Sequence, residues 1–533
     1  MKKLKLVCAA IAMACATPTW AGGLLTNTNQ HVAFNRMMSR EASIGIDGVY
    51  YNPAGVVFMG EGHHLAINWQ LAFQTRTINN DYALFTNNVN NPITPRDFKG
   101  TAFAPVIPSF QYAYNKGKWS FQASFALTGG GGKCTFDDGL GSFEKIVAET
   151  AIAACQLAGA VDQVAGAYGV PAIFSSNQVF GTEGKYSYNS YMHGRQYYYG
   201  LSAGAAYKFC DNFSAFLGVR GVYALTNYYG YVENINVGNM PLYKVLDPTK
   251  ESSANIELSC DQSGVGFTPI IGVDYKTGRW NFSAKYEFKT RIRLKNKSVN
   301  QTPSIGNLPA NLANQMTGIL TAKYQQAGLP LEQAKQQAEN TTNAVLNDPT
   351  VGATMMGLKT QFDQKLNKAI GEYEDGKKIA GDIPAYLALG VGYSPVDAVR
   401  VNVGFHWFDD KNATSYNNRN KELKRGTLEY NAGVEVDVNK KITLSTGWQN
   451  TNYGLSDEYM DDKSFVVSSN SVAIGGVYHI NKKMDLNVAY FHTFYQHKKT
   501  TEKVQLTADR SLNYSSDYTR NNNVFAVGLD INF

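Results

Sequence analysis

Between Trp280 and Arg293 charged and apolar residues alternate with a period of two. Trp280, Phe282, Ala284, Tyr286, Phe288, Thr290, Ile292 and Leu294 form one set, and Lys285, Glu287, Lys289, Arg291 and Arg293 the other. On a strand that period sends the two sets to opposite faces, so the segment predicts an apolar outer wall backed by a basic inner one. Cations in such a row can orient a carboxylate through charge-assisted hydrogen bonds. Arg220 and Arg400 fall on the same inner face of two further strands. A second reading stays open: the same cations can pair with Glu429, Glu435, Asp437 or other acids inside, an ordinary use of such charges.

Other chemistries fit less well. His63 and His64 are adjacent, so on a strand they face opposite ways and cannot share a metal ion. His406 lies beside inner-face residues, but nothing in the sequence selects a nucleophile for it. The run Gly129-Gly130-Gly131-Gly132-Lys133-Cys134 lacks the early glycine of a phosphate loop and has Cys where Ser or Thr is needed. No catalytic residue, metal or cofactor is expected. A net charge of +6 is too mild to argue for nucleic acid.

These side chains need a wall to hold them, and the whole chain supplies its pattern. Lys2, Lys3 and Lys5 precede an apolar run from Leu6 to Ala16 and then Thr19-Trp20-Ala21. That is the layout of a secretory leader, with cleavage expected after Ala21 (leader 1–21). No later stretch has the ~18 apolar residues of a membrane helix. Alternation instead marks strands near 64–77, 103–115, 117–128, 192–208, 211–232, 260–276 and 279–297. Further pairs meet at Pro395-Val396-Asp397, Asn439-Lys440-Lys441 and Asn481-Lys482-Lys483, and a last strand ends at Phe533. The count is fourteen, even as single-chain bacterial barrels require. Turns after even strands are short and connections after odd strands long, the asymmetry of periplasmic turns and extracellular loops. The predicted fold is therefore all-β: a 14-stranded antiparallel transmembrane β-barrel over 63–533, with helical insertions in its long loops.

Two outer loops, 129–191 and 298–382, are long enough to hold helices. Ser142 is a candidate N-cap before Phe143, Val147, Ala151 and Ala154 at helical spacing. Leu312, Met316, Ile319 and Leu320 mark a second helix. Leu358, Phe362, Leu366 and Ile370 mark a third beginning near Asp348-Pro349. These stripes either pack on each other or form an apolar ligand groove in which Phe362 and Leu366 would take part. Of the cysteines beyond the leader, Cys210 falls in a periplasmic turn, on the order of tens of ångströms from the others. Cys134–Cys155, within one loop, is the expected disulfide.

Residues 22–62 show no strand alternation and fit best inside the barrel as a hatch. Asn52-Pro53 supplies a turn, and Ala54-Gly55 lets the backbone pass close to neighbours. Arg36 and Arg40 can meet a carboxylate or pin the hatch to the wall. Here the chain resembles the FadL/TodX family of outer-membrane transporters for long-chain fatty acids and other hydrophobic compounds. The resemblance rests on Asn52-Pro53-Ala54-Gly55 ahead of a barrel, on Phe103-Ala104-Pro105, on Trp119, and on the terminal Phe533. It implies passive, hatch-gated uptake with sideways exit at an inward kink in the third strand. Its partners would be a long-chain fatty acid or other hydrophobic molecule and outer-membrane lipid, with the protein a monomer. One departure stands out: Trp119 to Leu127 holds neither Gly nor Pro, so no kink is evident there. A surface adhesin or receptor that uses its long loops is the alternative function.

Overall fold

A computed structural model describes residues 27–174, 184–303, 307–356, 371–506 and 510–533. The leader and the Phe362 and Leu366 positions lie outside these. Fourteen barrel strands run in chain order: β1 Gly62–Tyr82, β2 Arg96–Lys116, β3 Trp119–Phe136, β4 Tyr186–Cys210, β5 Phe213–Val237 and β6 Ile256–Thr277. Strand β7 has two parts, Trp280–Glu287 and Arg293–Gln301, and so has β8, Lys378–Ala380 and Tyr386–Val396. The rest are β9 Val399–Phe408, β10 Leu428–Asn439, β11 Ile442–Asn452, β12 Ser469–Asn481, β13 Met484–Tyr495 with Lys498–Gln505, and β14 Ser511–Asn532. All neighbours are antiparallel. The sheet closes because β1 pairs with both β2 and β14, from His64 opposite Asn532 to Tyr82 opposite Tyr514.

The alternation behaves as expected. On β14 Phe525 and Val527 are exposed, while Val524 and Ala526 are buried. On β1 Trp69 and Phe73 face out and Asn68 and Gln70 face in. An apolar belt around a polar, filled lumen is the only sheet arrangement that leaves no edge in hydrocarbon. Among the described residues no helix is long and apolar enough to cross a membrane.

Residues 27–61 fill the lumen as the hatch, with helices α1 (Val32–Met37) and α2 (Gly48–Tyr51). The wall makes room for them with glycine. A Cβ on Gly475 would sit 2.6 Å from the Arg36 Cβ, and one on Gly390 2.6 Å from the Glu41 Cβ; Gly433 and Gly447 face the Met37 backbone more closely still.

The first long loop is shorter than expected, because Gly100–Ala102 and Met192–Arg195 keep pairing with β3 as far as Phe136. Above the mouth, α3 (Gly141–Ala167) starts one residue before Ser142, with Leu140 rather than Ser142 at the cap. Helix α4 (Leu308–Gln326) buries Leu312, Met316 and Leu320 as its spacing predicts. Helix α5 (Leu331–Leu346) has only Ala334, Ala338, Thr342 and Val345 inward, too weak an apolar stripe to stand out in sequence. All three helices contribute to one core over the barrel.

The expected Cys134–Cys155 disulfide is not formed; Cys134, Cys155, Cys210 and Cys260 are all thiols. Cys134 lies on β3 among lumen residues, whereas Cys155 packs within α3 against the cap, so the two belong to separate clusters. Alkylation of unfolded, unreduced protein lacking its leader should therefore modify all four sites, and a mass short by two alkyl groups would contradict this arrangement.

Candidate functional site

The hatch is tied to the wall by buried charges. Arg36 pairs with Glu435 on β10 and donates to Ser445 at 2.9 Å and Asn487 at 3.2 Å. Arg40 bridges Asp47 at 2.7 Å and approaches Glu435 at 3.6 Å. His406 on β9 stands between Glu41 of the hatch and Glu429 of the wall, 2.7 Å from each. Burial alone would raise the Glu41 and Asp47 carboxyls, but His406 beside Glu41 and Arg40 beside Asp47 hold them below their ordinary range. The Asn52–Gly55 turn is pinned as well. Asn52 donates to Asp274 at 2.6 Å, Gln122 donates to the Pro53 carbonyl at 2.7 Å, and Ser214 to the Ala54 carbonyl at 2.7 Å. A Cβ on Gly55 would collide with the Asn52 amide, so the motif is a hatch fastener.

The cations predicted to meet a ligand divide into two groups. Arg220, Lys285 and Arg400 do face inward, but each is paired: Arg220 with Glu287 at 2.6 and 2.9 Å, Lys285 with Glu287 at 3.0 Å, Arg400 with Glu435 at 2.7 Å and with Asp437. Lys285 also donates to the Tyr50 carbonyl at 2.6 Å. Lys289, Arg291 and Arg293 are not on the inner face. After Glu287 the strand breaks, and six residues of β6 (264–269) face seven of β7 (288–294). The extra residue reverses the phase. Thr290, Ile292 and Leu294 turn inward and are buried, and the cations turn out.

A different pair takes the expected place. Arg76 on β1 and Arg520 on β14 are register partners that line a lumen cavity of about 290 Å³ above the hatch. Both share one neutral acceptor, the Gln74 amide oxygen, at 3.1 and 2.6 Å. The Arg520 Nε is buried without a hydrogen-bond partner. Among the described residues neither guanidinium has a carboxylate within ion-pair distance. Like charges directly opposite on a sheet repel, so the site favours an anion. Arg76 continues the inner face of Asn68, Gln70 and Gln74, and extending that alternation by one residue would have found it. The cavity's other lining includes Phe34, Met38, Ile107, Phe136, Phe491 and Val524. Polar side chains, among them Gln196, Glu429, Gln449, Lys463 and Asn522, share the lining with them, so the cavity is amphipathic.

Beside this cavity the strand ladder of the wall is interrupted. Strands β2 and β3 pair up to Ala102–Cys134 and resume at Ser109–Ala126, leaving 103–108 unpaired. Pro105 and Pro108 have no N–H to give a ladder. Strand β3 answers with bulges at Thr128 and Gly131, and Gly130 takes a left-handed φ of 72° where any Cβ would strike the Gln196 carbonyl. The kink thus lies just beyond Leu127, in the glycine run. Hatch residues bridge the interruption. Asn27 donates from its backbone to the Thr128 carbonyl at 3.1 Å and from its amide to those of Leu127 at 3.1 Å and Gly130 at 2.9 Å. Gln30 donates to the Leu127 carbonyl at 3.0 Å and accepts from Ser109 at 2.7 Å and Gln111 at 2.9 Å.

No protein-family model matches this chain, and no curated protein matches it. Among solved structures it is similar to a FadL homologue of Pseudomonas aeruginosa, with a TM-score of 0.56, 13% identity, and coverage of 98% of this chain and 100% of that one. A TodX deltaS2S3 mutant monoaromatic hydrocarbon channel is similar with a TM-score of 0.50, 12% identity, and coverage of 94% and 98%. The chain has the FadL fold. What that fold carries here is a hatch-filled barrel with a cationic cavity and an interrupted wall.

Two outcomes follow for the hatch. Gly433→Leu or Gly447→Leu should expel α1 while the barrel still folds, so planar bilayers should show steady ion steps where the wild type is silent. Because the Glu41 and Asp47 carboxyls sit low in the folded state, their stabilisation is complete above about pH 4.5. It is lost as pH falls through their folded values, so hatch proteolysis should accelerate at pH 3 relative to pH 6 and not between pH 6 and pH 8.

Proposed function

We propose that the protein is a passive outer-membrane channel for amphipathic hydrophobic acids, long-chain fatty acids foremost, with the hatch as its gate. The observation that carries this reading is the Arg76–Arg520 pair, two cations without a carboxylate partner among the described residues, inside a cavity whose polar lining is interrupted by apolar side chains. The carboxylate of a fatty acid meets both guanidiniums there, and its alkyl chain lies along Phe34, Ile107 and Phe491. The fold is shared with a FadL homologue and a TodX hydrocarbon channel, which supports a hydrophobic cargo. The interruption between β2 and β3 supports release sideways. When the chain of the ligand displaces residues 27–30, the way from cavity to membrane lies through 103–108 and avoids water.

Charge-assisted hydrogen bonds contribute about 1.5–3 kcal/mol each, so Arg76→Gln or Arg520→Gln should raise the oleate concentration for half-maximal uptake roughly tenfold or more. Uptake of an uncharged hydrocarbon by the same cells should change little. Equal loss for both cargoes would remove the carboxylate site from the account. For the exit, a Cβ on Gly132 would lie 3.7 Å from that of Ala104, close to the spacing of a disulfide. In a Cys134→Ser background, Ala104→Cys with Gly132→Cys should block uptake when oxidised and restore it on reduction. Unimpaired uptake through the oxidised protein would place the exit elsewhere.

A further inference from the structure

The phase reversal in β7 has a second result, on the outside of the barrel. Arg291, Arg293, Lys295 and Lys297 form an exposed row, and Lys378 of β8 stands directly opposite Lys295. Arg293 is neutralised by the buried Asp382 at 3.0 Å. Of the other acids nearby, Glu374 pairs with Lys377 at 3.6 Å, while Asp375 and Asp261, the latter opposite Lys297, keep their charge and accept from neutral donors, the Ser298 N–H at 2.8 Å and Asn227 at 2.8 Å. Among the described residues Arg291, Lys295, Lys297 and Lys378 have no carboxylate within ion-pair distance. Two lysines facing each other across a ladder repel, and cations on the lipid side of a barrel are tolerated only near the interface.

Their height fits that interface. The outward residues of β7 below them run from Trp280 to Phe288, both exposed, with Phe267 of β6 beside them. Eight rises of about 3.3 Å along a strand tilted ~40° span roughly 20 Å, close to the full apolar band of such barrels. The row begins where the band ends, on the side of the long loops. The bulge is built into the wall, since Thr290 bonds Thr268 and the Arg291 carbonyl would lie 2.8 Å from any Cβ on Gly266. We infer that Arg291, Lys295, Lys297 and Lys378 bind the phosphate groups of an outer-leaflet glycolipid, an inference that rests on the outer-membrane reading above. Guanidinium and ammonium groups at headgroup level supply charge-assisted donors to phosphate, and the acyl chains lie on Phe288 and Phe267.

The test is native mass spectrometry of the folded full-length protein in mild detergent with bisphosphorylated lipid A or the same lipid dephosphorylated. The wild type should retain the phosphorylated form at least about fivefold better. Arg291→Gln/Lys295→Gln/Lys297→Gln/Lys378→Gln should reduce that retention to the dephosphorylated level, while Lys482→Gln/Lys483→Gln, at a periplasmic turn, should not. Equal retention of both lipids by the wild type, or unchanged retention by the quadruple variant, would overturn the inference. If the quadruple variant fails to show the heat-shifted gel mobility of a folded barrel, the two-lipid comparison and Lys295→Gln alone decide it. Oleate uptake is followed in parallel: lipid retention without uptake would sink the transport reading, and uptake without phosphate preference would sink this inference alone.

Discussion

Everything distinctive in this barrel depends on one constraint, that backbone polar groups facing hydrocarbon must be satisfied. Between β2 and β3 the ladder stops, and two prolines make its continuation impossible. The carbonyls of Leu127, Thr128 and Gly130 then find their donors in the hatch, on Asn27 and Gln30. The segment that plugs the lumen is thus the one that completes the wall. In the proposed transport cycle, opening the wall and moving the hatch would be a single event.

Such a plug must be held firmly elsewhere to be loose only at its tip. Removing one partner of a buried ion pair costs about 3–5 kcal/mol, and the hatch has several such partners from Arg36 to Asp47. The glycine floor under α1 and the Asn52–Gly55 fastener add contacts on the far side of the lumen. Residues 27–30 are held by neutral hydrogen bonds, among them the Gln30 N–H donating to the Tyr51 hydroxyl, which itself donates to the Thr28 carbonyl. Neutral bonds contribute about 0.5–1.5 kcal/mol each, a range that a bound apolar chain can offset. The division between charged anchor and neutral tip is what the proposed gating at residues 27–30 rests on.

Much of this was legible in the sequence, and the failures have definite causes. Strand number, the two faces of β1 and β14 and two of the loop helices follow from periodicity, which packing respects. Period-two reasoning carries forward only until a bulge. One extra residue after Glu287 reversed the assignment of Lys289, Arg291 and Arg293, and no Gly or Pro in β7 announced it. The pairing of Arg220, Lys285 and Arg400 depends on partners brought close by closure of the sheet. The β2–β3 interruption did leave signs, Pro105 and Pro108 facing the glycine run at 129–132, but only as a pair of strands read together. Arg76 and Arg520 lie 444 positions apart and become neighbours only because the first strand meets the last.

The central claim is that ligand and wall compete for residues 27–30. Hydrogen exchange of the protein in lipid nanodiscs, with and without oleate, reads it directly. The account predicts slow exchange at Asn27 without ligand and faster exchange at residues 27–30 and 127–130 with it, while α2 stays protected. Unchanged protection at residues 27–30 under saturating oleate, in protein that still transports it, would contradict the account.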